Sequence, residues 1–170
     1  IDLNQSDWKE RLHDKYFPNL PLESDKLKWM EPVTEEEDAQ YSPMLRFIAP
    51  SELRFDFQGR LITPKASVMI DSSEGLHHHS DAPGAAGYTL AELSHLSRST
   101  VPSQRCIAIS SIGKVLYRAK HNRFGDEISK SIRDLVEPTG VIGNLLDASD
   151  EKKTKHLATR TMAVEALWLW

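Results

Sequence analysis

The stretch Tyr88–Leu96, with the sequence YTLAELSHL, decides the fold, because the chain changes there from short segments to long helices. Thr89 and Glu92 stand at the spacing of a capping box, in which two side chains satisfy the free N–H groups of a helix start. Three leucines in this stretch recur at helical spacing and place an apolar stripe on one face. The sequence therefore predicts that a helix begins here.

Four further helices are predicted downstream from apolar residues at helical spacing. The first covers roughly residues 104–120 and follows Pro102, since proline is tolerated in a first turn. Pro138 ends the next pattern, which starts near Ile128. A short helix around residues 142–146 and a long one over 150–170 complete the series. These patterns predict a mostly α fold.

Two of these helices resemble each other at a constant offset along the chain. A small residue flanked by branched apolar residues is typical of the inner helix of an α-solenoid. The repeat therefore predicts a short armadillo- or HEAT-like helical stack. The corresponding residues are Arg105, Ala108, Ile109 and Ile112 in one helix and Arg160, Ala163, Val164 and Leu167 in the other.

Upstream, the alternation of Leu53, Phe55 and Phe57 with charged residues predicts a half-buried strand. A turn at 58–59 and a returning strand at 61–62 complete a β-hairpin. A lone hairpin is marginally stable in water, so this one must pack on the helices or join a sheet.

The first fifty residues predict an arm of short amphipathic helices separated by prolines. Asp7 and Glu10 have capping-box spacing at the start of one such helix. We therefore divide the chain into an extended arm (1–50), a β-hairpin region (51–74) and an armadillo-like domain (75–170). Short amphipathic helices must dock their large apolar residues on the rest of the chain or on a partner. The arm's candidates for partner contacts are Trp8, Leu12, Tyr16, Trp29 and Met30.

Residues 75–79, with the sequence GLHHH, are the strongest candidate for a special site. Adjacent imidazoles point in different directions, so of the three only His77 and His79 share a face of an extended segment. A zinc ion needs further ligands, and the local candidates are Asp71, Asp81 and His95. We favour a structural loop whose imidazoles bond to backbone carbonyls. Partner contact by His77, His78 and His79, or a metal site, are the alternatives.

Composition and motifs exclude several functional classes. The chain has 170 residues, a net charge of −4 and no basic block, so we expect no direct binding of nucleic acid. No apolar run approaches the ~20 residues of a membrane span, and the single cysteine, Cys106, points to a reducing compartment. Phosphate loops and nucleophile elbows are missing, so we expect neither enzyme activity nor a cofactor. A second cysteine and a His-x-x-x-His motif are also missing, so we expect no bound metal. Trp168 and Trp170 near the end of the chain pack on the helices or dock on another protein.

Several stretches together resemble the RNA polymerase II-associated protein 1 family. They are LRFDFQGRLI (53–62), GLHHH (75–79), AGYTLAELSHLSRS (86–99) and QR (104–105), in this order and spacing. KLKWM (26–30) looks like that family's short upstream motif. ALWLW (166–170) is similar to the ending of its compact fungal members. The resemblance is to the C-terminal region of such a compact member.

The resemblance implies a non-catalytic, chaperone-like assembly factor. Such a factor binds RNA polymerase II subunits during biogenesis of the enzyme, before nuclear import, together with GPN-loop GTPases and other chaperone machinery. It would be found in both cytoplasm and nucleus. Phe55 and Phe57 belong to the matching motifs and join the candidate partner contacts. The competing hypotheses are an armadillo-like adaptor of another nuclear complex and a metal-dependent enzyme that uses His77 and His79.

Overall fold

The computed structural model describes residues 7–19, 21, 48–77 and 84–170. The predicted second helix of the arm, with Trp29 and Met30, lies outside these residues, and so do His78 and His79. The division into arm, hairpin region and helical domain stays a prediction. In the described ranges no helix is both long enough and apolar enough to cross a bilayer.

The described residues form seven α-helices and three short strands, which confirms the mostly α class. Two single 3₁₀ turns, Pro50–Glu52 and Ser72–Glu74, link these elements. The strands are β1 (Arg54–Phe55), β2 (Leu61–Ile62) and β3 (Tyr88–Thr89). The helices are α1 (Trp8–Tyr16), α2 (Pro64–Met69), α3 (Leu90–Leu96), α4 (Pro102–Lys120), α5 (Asp126–Val136), α6 (Val141–Ser149) and α7 (Leu157–Leu169).

The small sheet has β1 in its centre, with β2 and β3 antiparallel on either side. Arg54 of β1 lies opposite Ile62 of β2 and Thr89 of β3. The predicted hairpin is therefore confirmed. The third strand was not predicted, because its two residues directly precede a helix and its pairing with β1 is non-local.

The hairpin turn lies directly on α4. Gly59 has a φ of +68°, and the Asp56 carboxylate accepts the N–H groups of Gln58 and Arg60, both at 2.8 Å. A Cβ on Gly59 would come within 2.8 Å of the Lys114 Cβ, so only glycine allows this approach. The contact fixes the hairpin tip against the middle of α4.

Helix α4 is the central element of the core. It packs against α3, α5 and α7, and α7 also packs against α6. Burial of apolar surface among these helices is the main source of stability. The buried residues that these helices contribute are Leu90, Leu93, Ala108, Ile109, Ile112, Leu116, Val136, Val141, Leu145, Ala148, Ala163 and Ala166.

A second apolar cluster joins the hairpin to the helices. Phe55 is 2% exposed, and its ring meets the edge of the Phe124 ring at 5.7 Å between centroids. Leu53 and Phe55 pack with buried residues of α4 and α5, so the hairpin is stabilised by the helices as the sequence predicts. Those helix residues are Val115, Ala119 and Ile132.

The two helices that look alike in sequence, α4 and α7, pack directly on each other. A Cβ on Gly113 would lie 2.9 Å from the Cα of Ala166, so the helix backbones approach closely. Ile109 is fully buried, whereas its counterpart Val164 is exposed. The two faces are therefore not equivalent, and the armadillo- or HEAT-like stack stays a prediction.

One predicted helix start is wrong. Helix α7 begins at Leu157, because the carbonyl of Asp150 accepts the N–H groups of Lys153 and Thr154 in a turn that does not continue as a helix. The His156 ring then caps α7 by accepting the Thr159 N–H at 3.3 Å.

Helix α1 forms as predicted, but its start carries no side-chain cap. Asp7 makes no capping hydrogen bond, since its backbone is not extended, as an N-cap residue requires. Its carboxylate instead pairs with Arg11 at 3.2 Å. The predicted capping box of Asp7 and Glu10 is therefore wrong.

Candidate partner-binding surface

The motif residues meet at a polar junction between the sheet and α3, formed by Arg54, Gly87, Thr89 and Glu92. The buried Arg54 donates from Nη1 to the Gly87 carbonyl at 2.9 Å and to the Glu92 carboxylate at 3.2 Å. The Glu92 carboxylate also accepts the Thr89 N–H at 2.8 Å, and the Thr89 hydroxyl accepts the Glu92 N–H at 3.2 Å. The predicted capping box is thus confirmed, and Arg54 ties it to β1.

The side chain of Tyr88 lies next to the junction, and its pKa is raised. Burial raises the pKa of Tyr88, and the negative charge of Glu92 raises this pKa further. The Tyr88 ring lies 5.7 Å from the ring of Phe57, which explains why Phe57 is half-buried. Tyr88 therefore stays protonated at neutral pH and serves the packing of the sheet.

His77 holds its loop in place. Its Nε2 donates to the Ile70 carbonyl at 2.9 Å, which agrees with a structural role for this imidazole. In the same loop the Ser73 N–H donates to the Asp71 carboxylate at 2.8 Å, and the pKa of Asp71 is lowered mainly by this bond, with a smaller contribution from His77. Among the described residues no three His, Cys, Asp or Glu side chains lie close enough together to hold a metal ion.

The candidate partner contacts differ widely in accessibility. Trp8 and Phe55 are buried, so they affect binding only through the fold. Tyr16 and Trp168 are exposed and can touch a partner directly. The half-buried candidates are Leu12, Phe57, His77 and Trp170.

An exposed apolar stripe runs along α7 and includes Trp168. Leu157, Val164 and Trp168 are 66%, 56% and 81% exposed, and their spacing places them on one side of the helix. We call these three residues the α7 outer face. The opposite side of α7 buries Ala163 and Ala166 in the core.

Leu157 and Val164 were not among the sequence candidates, because the apolar pattern of α7 was assigned to its inner face alone. The missed signal is that α7 is apolar on both sides. A helix with apolar residues around its circumference is typically buried on both sides. The exposed apolar face of α7 is therefore a candidate contact surface.

Comparison with known proteins connects this geometry to one group of relatives. The family model "RPAP1-like, C-terminal" matches residues 52–120. "RNA polymerase II-associated protein rba50" of Schizosaccharomyces pombe is 45% identical over 99% of this chain and 37% of its own length. "RNA polymerase II-associated protein RBA50" of Saccharomyces cerevisiae is 41% identical over 100% of this chain and 43% of its own length.

The chain is also similar to more distant relatives. "RNA polymerase II-associated protein 1" of Homo sapiens is 32% identical over 86% of this chain and 10% of the human protein. No solved structure matches the chain at a significant level.

The hairpin, the capped helix α3 and helix α4 lie within the segment that matches the RPAP1-like C-terminal class. The chain contains an RPAP1-like C-terminal segment at residues 52–120 and is similar over nearly its whole length to the two yeast RNA polymerase II-associated proteins. It spans 37% and 43% of the length of the two yeast relatives.

Proposed function

We propose that this protein is a non-catalytic assembly factor that binds subunits of RNA polymerase II during biogenesis of the enzyme, before nuclear import. The names of its yeast and human relatives support association with RNA polymerase II. The family resemblance adds GPN-loop GTPases and other chaperone machinery as further partners, and the cytoplasm and nucleus as its locations.

The α7 outer face is the observation that carries this proposal. An unassembled polymerase subunit presents apolar surface and open sheet edges that need cover. Burying a large apolar side chain stabilises a complex by about 1.5–3 kcal/mol, before the cost of association. Three such side chains on one helix face are therefore enough for a reversible contact of the kind that a chaperone makes.

The roles of the buried hydroxyl groups support a non-catalytic protein. The Ser67 hydroxyl accepts the Ala86 N–H at 2.6 Å. The Ser94 hydroxyl donates to the Thr139 carbonyl at 2.7 Å and accepts from the Asn144 amide at 2.9 Å. These bonds connect segments of the fold and leave neither serine in the position of an activated nucleophile.

Co-expression with individual RNA polymerase II subunits, followed by affinity capture, tests the proposal. Val164→Asp places a charge on the α7 outer face, and Val68→Asp is a matched control on α2, where valine is 64% exposed. We expect the wild type and Val68→Asp to retain at least one polymerase subunit equally. Val164→Asp should lose about tenfold or more of that capture, because a buried unpaired charge costs well over 1.4 kcal/mol.

Equal capture by the two variants would show that the α7 outer face is not the binding surface. Failure of the wild type to retain any polymerase subunit would contradict the proposal itself and favour the adaptor of another nuclear complex. Thermal unfolding of both variants, monitored by circular dichroism, distinguishes a loss of binding from a loss of folding.

A further inference from the structure

A basic pocket opens where the hairpin turn, the C-terminal half of α4 and the end of α7 meet. Its volume is about 450 Å³. It collects three cations and no carboxylate, although the whole chain carries a net charge of −4. The residues that line this basic pocket are Gln58, Lys114, Tyr117, Arg118, Arg123 and Leu169.

Two of the three cations, Lys114 and Arg118, are held by neutral groups. The Lys114 ammonium donates to the Phe57 carbonyl at 3.0 Å and to the Gln58 side-chain oxygen at 3.2 Å. Arg118 donates from Nε to the Gln58 carbonyl at 3.3 Å. Among the described residues no carboxylate forms an ion pair with Lys114, Arg118 or Arg123. Their positive charge is therefore available to an external ligand.

Helix electrostatics account for only part of this cluster. Cations in the last turn of a helix are stabilised by the helix dipole, and Arg118 lies in the last turn of α4. Lys114 lies more than one turn earlier, and Arg123 lies beyond the end of the helix. The dipole effect falls off within the last turn, so it does not explain why these two side chains join the cluster.

The pocket also has an apolar wall. The Tyr117 ring is exposed and packs against the His121 ring at 4.4 Å between centroids. Leu169 of α7 completes this wall. A ligand that fits must therefore combine negative charge with an apolar side chain.

We propose that the basic pocket binds an acidic peptide segment of a partner protein. Carboxylates of the peptide pair with Lys114, Arg118 and Arg123, and an aliphatic side chain packs against Tyr117 and Leu169. This inference goes beyond the proposed function, because it does not depend on which protein carries the peptide.

A nucleic acid fits this surface less well than a peptide. Binding of a polyanion needs an extended row of cations, since affinity grows with the number of phosphates neutralised. Here only three cations line the pocket, and the exposed acids Asp126 and Glu127 follow Arg123 closely in the chain instead of further cations.

Fluorescence anisotropy with a labelled peptide of glutamates around a central pair of leucines tests the proposal. We expect saturable binding that weakens with added salt, because exposed charge pairs are screened. Arg118→Glu combined with Arg123→Glu should weaken binding about tenfold or more, since each reversal replaces an attraction with a repulsion. Lys130→Glu, which reverses an exposed cation of α5 outside the pocket, should bind as the wild type does.

The single variant Arg123→Glu is a control for loss of folding, because no hydrogen bond of the Arg123 side chain to another described residue is seen. It should keep the wild-type melting temperature and still bind several-fold more weakly. Absence of saturable peptide binding, or equal affinities for the double variant and Lys130→Glu, would overturn the proposal. Tighter binding of a single-stranded oligouridine probe would overturn it in favour of a polyanion site. Because no polymerase subunit is present, the result is independent of the proposed function.

Discussion

The polar junction and the α7 outer face differ in burial and chemistry. The junction is largely buried and hydrogen-bonded, with Arg54 at its centre. The α7 outer face is apolar and exposed. The family model covers residues 52–120, which include the junction and exclude α7. The segment that matches the family model therefore contains the buried junction, whereas the most exposed candidate contact, Trp168, lies outside that segment.

The largest expected contrast is between Phe55→Ala, next to the junction residue Arg54 on β1, and Trp168→Ala on the α7 outer face. Phe55 is buried beside Phe124, so its truncation leaves a cavity and should lower the free energy of unfolding by about 3–5 kcal/mol. Trp168 is exposed, so its truncation should change this free energy by less than about 0.5 kcal/mol. Urea denaturation measures both values. Similar losses for the two variants would show that the α7 outer face is part of the fold.

Arg54→Met and Arg60→Met compare a junction ion pair with an exposed one. Removing Arg54 leaves the Gly87 carbonyl and the part-exposed Glu92 carboxylate without this donor, so we expect a loss of about 2 kcal/mol in unfolding free energy. Arg60 pairs with Asp56 at 3.1 Å on the surface, and its loss should cost about 0.5 kcal/mol or less. Chemical denaturation measures the loss of unfolding free energy in both variants. Equal losses would mean that the ion pair of Arg54 stabilises the fold no more than the exposed pair of Arg60 does.

Gly113 tests how tightly the inner side of α7 packs on α4, and Gly143 in α6 serves as its control. Gly113→Ala brings a Cβ within 2.9 Å of Ala166, so it should destabilise the protein by about 1–2 kcal/mol. Gly143→Ala in α6 meets open space and should stabilise it by about 0.5–1 kcal/mol, because alanine favours a helix. Thermal unfolding distinguishes the opposite signs. A stabilising Gly113→Ala would contradict the close approach of α4 and α7.

Ser129 supplies the smallest expected effect. Its hydroxyl is fully buried in α5 and has no hydrogen-bond partner among the described residues, unlike the polar groups of the junction. Ser129→Ala should therefore raise the free energy of unfolding by up to about 1 kcal/mol, because an unsatisfied buried group is removed. A clear loss of stability in calorimetry would indicate that the hydroxyl has a partner after all.

The sequence predicted the elements that follow local rules. Thr89 and Glu92 predicted the start of α3, Pro102 that of α4, and Phe55 the central strand of the hairpin. Helix α2 was missed, although Thr63 and Pro64 supply an N-cap and a proline in the first turn.

Features that combine distant segments could not be predicted in this way. Strand β3 pairs across more than thirty residues with Arg54. The basic pocket joins Gln58, Lys114 and Leu169 from three separate elements. The exposure of Val164 depends on which side of α7 faces α4, and periodicity does not give that orientation when both sides are apolar.

Site-specific photo-crosslinking tests the central claim, that the α7 outer face contacts a polymerase subunit, most directly. Trp168 and Met69 are 81% and 85% exposed, so p-benzoylphenylalanine at either position should leave the fold intact. In the complex with captured RNA polymerase II subunits, we predict a crosslink to a subunit from position 168 and none from position 69. Crosslinks of equal yield from both positions, or none from position 168, would contradict the account.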